Sequence, residues 1–251
     1  MIVTIIGTGN VATVFSKLIF SKGHSILQVF GRTNSITESI ASAVNAENIN
    51  DLANVNFEAD IYIITVADKA ITTICHELKL KDKLVLHTAG SVEKNILKNV
   101  STNYGVLYPI QSIRKDMSLE TTIPFLIDAN NVDALNQLKK FAKSISNDVT
   151  IGDDKQRLNL HIAAVFANNF VNYMYVQSAL ICEENNLDFK LLQPLIEETA
   201  MRLRTKHPKD VFTGPAKRND IETIQKHQQA LANQPKLLAL YNAITKMIME
   251  H

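Results

Sequence analysis

The chain has 251 residues, 46% of them apolar, with 26 basic side chains against 25 acidic ones. That is material for a sizeable core and more length than one typical domain needs. The balanced charge, with neither a basic excess nor a basic block, excludes an electrostatic nucleic-acid binder.

The first half alternates. Short β-branched runs at Ile2–Ile6, Ser25–Phe30, Ile61–Val66, Leu84–His87, Val106–Tyr108 and Phe125–Ile127 are separated by stretches of helical character. Several runs are apolar nearly throughout, as strands buried on both faces of a parallel sheet must be. The pattern predicts a doubly wound α/β domain of the Rossmann type over residues 1–152.

The first strand leads straight into Gly7-Thr8-Gly9-Asn10-Val11-Ala12, followed by an amphipathic helix bearing Val14, Phe15, Leu18 and Ile19. Gly7 permits the tight turn, Gly9 lets the backbone approach a pyrophosphate, and Ala12 lets helix and strand pack closely. Free N–H groups at the helix start, with the positive end of its dipole, then face the phosphates. An ordinary glycine-rich turn has the same letters; the strand–turn–helix setting is what makes the motif a dinucleotide loop.

The end of the second strand selects the cofactor. An acidic residue there would hold a ribose 2′-hydroxyl. This chain has Gly31-Arg32-Thr33 instead, and no carboxylate before Glu38. Arg32 suits adenine stacking and a 2′-phosphate, and Thr33 adds a hydroxyl, so NADP(H) is expected over NAD(H). A solvated surface arginine is the competing explanation. Ligands of such sheets lie beyond the carboxyl ends of the strands, which places Val66, Ala67 and Asp68, then His87 to Ser91, then Tyr108 to Ser112, near the cofactor. Asp68 is equally suited to capping the next helix, and His87 to a purely structural place.

From Asp153 onward strand signals vanish. Helical patterns cover roughly residues 154–185, 190–205, 221–232 and 236–249, predicting an all-α C-terminal domain over residues 153–251. The first of these helices is apolar enough to be buried nearly all round. Set into it are His161, Asn168 and Asn172, which an α-helix brings within roughly 40° of one another. Buried amides and an imidazole need partners, so they line a ligand cleft or form a network with neighbouring helices. Glu198 is a candidate for the same cleft or for an exposed face. In Thr213-Gly214-Pro215-Ala216-Lys217-Arg218-Asn219-Asp220, Arg218 offers a planar fork to an anion or to Asp220, which caps the next helix.

Cys75 and Cys182 are the only cysteines and do not make a disulfide scaffold, which points to a reducing cytoplasm. No apolar run approaches the roughly 20 residues of a membrane span, and a strand starting at Ile2 leaves no room for a leader. The seven histidines lack short ligand spacings, so no metal site is expected.

These signatures carry a resemblance. The loop Ile6 to Ala12, the helix segment Leu160 to Asn169 and the run Thr213 to Asp220 resemble a bacterial family with a Rossmann-like NADP-binding half and a helical half of unknown function. More distantly the layout is similar to pyrroline-5-carboxylate reductases, deazaflavin-dependent NADP oxidoreductases and β-hydroxyacid dehydrogenases. The resemblance implies a nicotinamide dinucleotide in the N-terminal half, a small-molecule substrate, and a homodimer formed through the helical half. β-Hydroxyacid dehydrogenases carry a catalytic lysine three residues before an Asn-Asn pair. Here Asn168-Asn169 match the pair but the lysine position is Val165, which cannot protonate an alkoxide. His161, one turn earlier, is the available substitute.

The expected function is an NADP(H)-dependent oxidoreductase passing a hydride to or from a small carbonyl, hydroxy or imine compound. His161 would be its proton donor, Asn168 and Asn172 its orienting amides, and Arg218 its anion clamp. A non-catalytic NADP(H)-binding sensor or interaction module is the alternative that Val165 favours.

Overall fold

The computed structural model describes residues 1–250. The chain divides into two compact units, Met1–Asn169 and the remainder from Phe170.

The first unit runs β1 (Ile2–Ile6), α1 (Asn10–Ser21), β2 (Ser25–Phe30), α2 (Asn34–Ser42), β3 (Glu47–Ile49), β4 (Ile61–Ile64), α3 (Asp68–Glu77), β5 (Leu84–His87), β6 (Asn103–Pro109), β7 (Phe125–Ala129), α4 (Val132–Ile145), β8 (Val149–Ile151) and α5 (Asp154–Ala164). Its eight strands form one sheet in the order β3-β2-β1-β4-β5-β6-β7-β8. Alternate residues of each central strand serve opposite faces, as the period of two requires. Val3, Ile5, Ile61, Ile63, Leu84 and Leu86 join the core under α1 and α4. Ile6, Tyr62, Ile64 and Val85 join the core under α3.

The sheet is mostly, not wholly, parallel. β7 runs antiparallel to β6, and β8 is parallel to β7. The strand order reverses between β1 and β4, and that switch point is where an open α/β sheet leaves a crevice beyond its strand ends.

Asp153 caps α5 through a reciprocal box with Gln156. The helix is then held to the sheet by charge. Arg157, 1% exposed, donates to the Val92 carbonyl and to Asp154 Oδ1, the latter at 2.6 Å. Lys94 Nζ lies 2.7 Å from Asp128 and 3.6 Å from Asp154. Burial alone would raise the Asp154 carboxyl; the hydrogen bonds from Arg157 and the Lys94 backbone, with both cations, outweigh it and hold the carboxyl below its ordinary value.

After α5 the helix continues through a π-wound turn, Val165–Phe170. The second unit contains α6 (Val171–Glu184), α7 (Gln193–Arg202), α8 (Ile221–Ala230) and α9 (Pro235–Met249). Among its described residues only Cys182, Ile224 and Thr245 are buried. The apolar helix expected to be buried nearly all round is therefore not so in the single chain: Leu158, Ile162, Tyr173, Val176 and Leu180 are exposed. α5 buries one stripe only, because Arg157 and Leu160 are the side chains it sets against the sheet. No helix among the described residues is long and apolar enough to cross a membrane.

Candidate active site

Two concavities lie in the first unit at the carboxyl ends of its strands. The first is a cleft of about 420 Å³ lined by Gly7, Thr8 and Gly9 after β1, Gly31 and Arg32 after β2, and Val66 and Ala67 after β4. Gly7 has φ +133°, and a Cβ there would fall 2.8 Å from the Thr65 carbonyl oxygen. Only glycine fits a backbone so shaped and so close. Gly9 caps α1 without a side-chain hydrogen bond, and no acidic residue stands in the first turn. The leading amides of Asn10, Val11 and Ala12 are thus left for a ligand, with the dipole favouring an anion.

The side chains of this segment divide by task. Asn10 is exposed, Val11 half-buried, and Ala12 buried in the core under α1. Arg32 is exposed at the rim and forms no ion pair among the described residues. Thr33 precedes α2, and its carbonyl accepts from the Thr37 hydroxyl at 2.9 Å. Apolar Val66, Ala67, Ala70 and Ile74 complete a wall suited to flat rings. A glycine cradle, a free helix start and an unpaired arginine fit a dinucleotide bearing a 2′-phosphate.

The second is a cavity of about 530 Å³ lined by Tyr108 near the end of β6, Gln111 and Ser112 beyond it, by His161 and Leu160 on α5, and by Val165 and Asn168 in the π turn, among others. His161 Nδ1 lies 3.0 Å from the Tyr108 hydroxyl. The two rings meet edge to face, with centroids 5.9 Å apart. Apart from His161, the lining side chains carry no ionisable group other than the Tyr108 phenol.

His161 and Asn168 therefore share one cavity. The π turn places Asn168 and Asn169 on a wider winding than an α-helix has, a distortion frequent at functional sites. It also breaks the α-helical spacing that put Asn172 on the same face; Asn172 is exposed on α6. Arg218 is exposed in the second unit, in the turn before the Asp220 cap of α8. His87 ends β5, fully buried, and lines neither concavity; its Nδ1 accepts from the Ala89 amide at 3.2 Å. Burial, then the charge of Arg157, pushes its pKa down to about 4, against weaker pulls from the Glu93 backbone, Asp154 and Asp68. His87 is a neutral group near pH 7.

Sequence reasoning passed over Arg157, and it placed Tyr108 near the cofactor without linking it to His161. Tyr108 carried one signal, its place at a strand end above the sheet. Arg157 carried none, since the Val92 carbonyl it donates to lies 65 positions away in the chain and its pairing with Asp154, three residues earlier, does not by itself mark a buried charge. Among the described residues no group of three or more His, Cys, Asp or Glu is placed to hold a metal ion.

A Rossmann sheet, a glycine cradle at its switch point and a free arginine at the rim define an NADP-dependent oxidoreductase. The chain belongs to the family that carries the domain of unknown function DUF2520, whose model matches residues 123–248. Residues 2–90 match the model described as NADP oxidoreductase, coenzyme F420-dependent. Among solved structures, a "putative NADP oxidoreductase" from Bacteroides fragilis is 37% identical, with TM-score 0.91, covering 100% of this chain and 98% of that one. A 1-pyrroline-5-carboxylate reductase from Streptococcus pyogenes shares the fold at 12% identity, with TM-score 0.70, covering 100% and 99%. An imine reductase from Myxococcus stipitatus, solved with NADP+, does so at 14% identity, with TM-score 0.70, covering 100% and 93%. No curated protein matches the chain significantly.

Proposed function

We propose that the chain interconverts a small, uncharged carbonyl or imine compound and its reduced form, with the substrate held in the cavity of Tyr108, His161 and Asn168. The observation that carries this reading is an imidazole held by a phenol in a largely apolar cavity beyond the sheet, in the unit that also holds the dinucleotide cradle. Bound NADPH supplies the hydride. His161 Nε2 makes no hydrogen bond among the described residues and supplies the proton to the oxygen or nitrogen that gains charge as hydride adds to carbon. Asn168, on the same wall, offers an amide to that atom, and the apolar side chains of Leu160, Val165 and Ile110 exclude water around it. The near absence of charge in the lining favours an uncharged substrate, because a carboxylate there would be desolvated without a cation.

Gly7, Thr8, Gly9 and the amides of Asn10, Val11 and Ala12 cradle the pyrophosphate in this reading, and Arg32 takes the 2′-phosphate. Fluorescence titration tests the arrangement. The protein binds NADPH more tightly than NADH, and Arg32→Ala weakens NADPH about tenfold or more, the worth of one charge-assisted hydrogen bond, while leaving NADH unchanged. Equal loss for both nucleotides would remove Arg32 from the cofactor site. NADPH oxidation with cyclohexanone and 2-methyl-1-pyrroline, an uncharged ketone and an uncharged imine, tests the substrate class; binding without turnover of any such compound would favour a sensor.

The helical unit supports a homodimer. Leu195 at 63% and Met247 at 68% exposure belong to a unit with almost no core of its own, and apolar helix faces of that extent need cover. A second copy of the chain supplies it, the homodimer that the sequence resemblance implies. Sedimentation at the mass of a single chain under micromolar conditions would refute it.

A further inference from the structure

We propose that Tyr108 is the positioning residue of the proton donor: its hydroxyl holds Nδ1 of His161 and so keeps Nε2, with its proton, available to the cavity. This rests on the role given to His161 above, and it adds a residue from a different element, 53 positions away in the chain.

Tyr108 is itself fixed. It stands next to the end of β6, where it pairs with Leu126 of β7. Its side chain is 7% exposed, packed with Val106, Leu126 and Leu160. The ring it holds is fixed from below. A Cβ added at Gly90, just past β5, would fall 2.7 Å from His161 Cγ and 3.0 Å from Tyr108 Cε2. The imidazole therefore lies directly over a glycine that leaves it room, with the phenol alongside. Three elements, the β5 end, the β6 end and α5, converge on one ring.

The hydroxyl suits this position because it both donates and accepts. It has no other partner among the described residues, and in a nearly buried site it donates to Nδ1 of the neutral ring. That places the ring proton on Nε2. When the ring is protonated, Nδ1–H donates to the same oxygen, and contact is kept in both states. Burial raises the phenol above its ordinary pKa, against the pull of the Arg157 charge one turn earlier on α5, so it stays protonated. In the reducing direction the Nε2–H bond of the imidazolium breaks and its proton goes to the substrate oxygen or nitrogen. That atom takes the electron pair of the C=O or C=N bond as hydride adds to carbon. The ring left behind keeps its proton on Nδ1, donated to the phenol oxygen, and Nε2 regains a proton from solvent. The resting neutral ring then settles as the Nε2–H tautomer when the phenol donates to Nδ1.

The test is nitrogen NMR of the ¹⁵N-histidine-labelled, full-length protein, with the His161 signals assigned by their loss in His161→Gln. Wild-type protein shows the neutral ring as the Nε2–H tautomer, and Tyr108→Phe turns it into a mixture. With cyclohexanone or 2-methyl-1-pyrroline as substrate, Tyr108→Phe lowers kcat about 10- to 100-fold, the cost of a misplaced catalytic group, with KM and NADPH affinity within twofold of wild type. A purely structural tyrosine would leave the tautomer unchanged, and that result overturns the proposal. So does a neutral wild-type ring protonated on Nδ1, which needs no variant to observe. If the tautomer moves and kcat does not, the positioning role is overturned through the role of His161, which His161→Ala examines separately.

Discussion

Replacing Arg157 with methionine is expected to lower the thermal unfolding midpoint by roughly 10 °C, the equivalent of about 3 kcal/mol in a protein of this size. Methionine keeps most of the side chain's length and apolar stem. What goes is the guanidinium that ties Asp154 to the Val92 carbonyl and so ties α5 to the loop after β5. Removing the buried Arg157 leaves the part-buried carboxylate of Asp154 poorly compensated, and that residue, more than the lost attraction, sets the size of the effect. Asp154 keeps Lys94 at 3.6 Å and the Lys94 amide at 3.1 Å, which holds the loss below the upper range for a bare buried charge.

The pH dependence follows with a definite sign. The folded carboxyl of Asp154 titrates below its unfolded value of about 3.9, so its contribution is complete above that value and is lost as pH falls through the lower, folded one. In Arg157→Met that acid limb flattens. Scanning calorimetry at pH 7 and at pH 3.5 checks both statements. A midpoint within 2 °C of wild type at pH 7 would show that α5 is held by its apolar contacts alone.

His161→Ala is expected to reduce kcat about 100- to 1000-fold, the usual worth of a positioned general acid, and to leave NADPH affinity unchanged. The separation is informative because the dinucleotide cleft shares no lining residue with the cavity of His161. KM for the carbonyl or imine substrate should shift by a few-fold at most, because a proton delivered in the transition state contributes little to ground-state binding. Stopped-flow measurement of a single NADPH oxidation turnover isolates the chemical step from product release. Undiminished turnover would remove His161 from the reaction and return the cavity to a ligand-sensing role.

Both variants bear on what the sequence could show. β1, β2 and β5 have the bounds their apolar runs predict, because strands buried on both faces leave continuous signals. β3 and β8 left none. They are three-residue edge strands, Glu47–Ile49 and Val149–Ile151, each with one apolar residue turned to the core and no room for a period to appear. The reversal at β7 was equally invisible, since strand direction is settled by pairing with β6 and not by any residue within β7. The glycine turn between β1 and α1 was legible because its geometry is local, a few consecutive residues between a strand and a helix. The cavity was half legible. His161 and Asn168 stood out as polar residues on an apolar helix, whereas Tyr108 and Gly90 reach the same ring from other strands. The apolar helix pattern was read as burial; it records a face that requires cover, and the single chain does not provide it.

That uncovered face changes what stability means for this protein. A helical unit with three buried side chains among its described residues gains little by folding alone; in the proposed homodimer its free energy of folding would be tied to the concentration of the second copy. Dilution would then act on it as a denaturant does, while the sheet unit has its own two-sided core. During synthesis the sheet unit can complete as a first-order event. In that homodimer the helices after Phe170 would mature only at the rate at which two chains meet, and until then they would present an aggregation-prone surface.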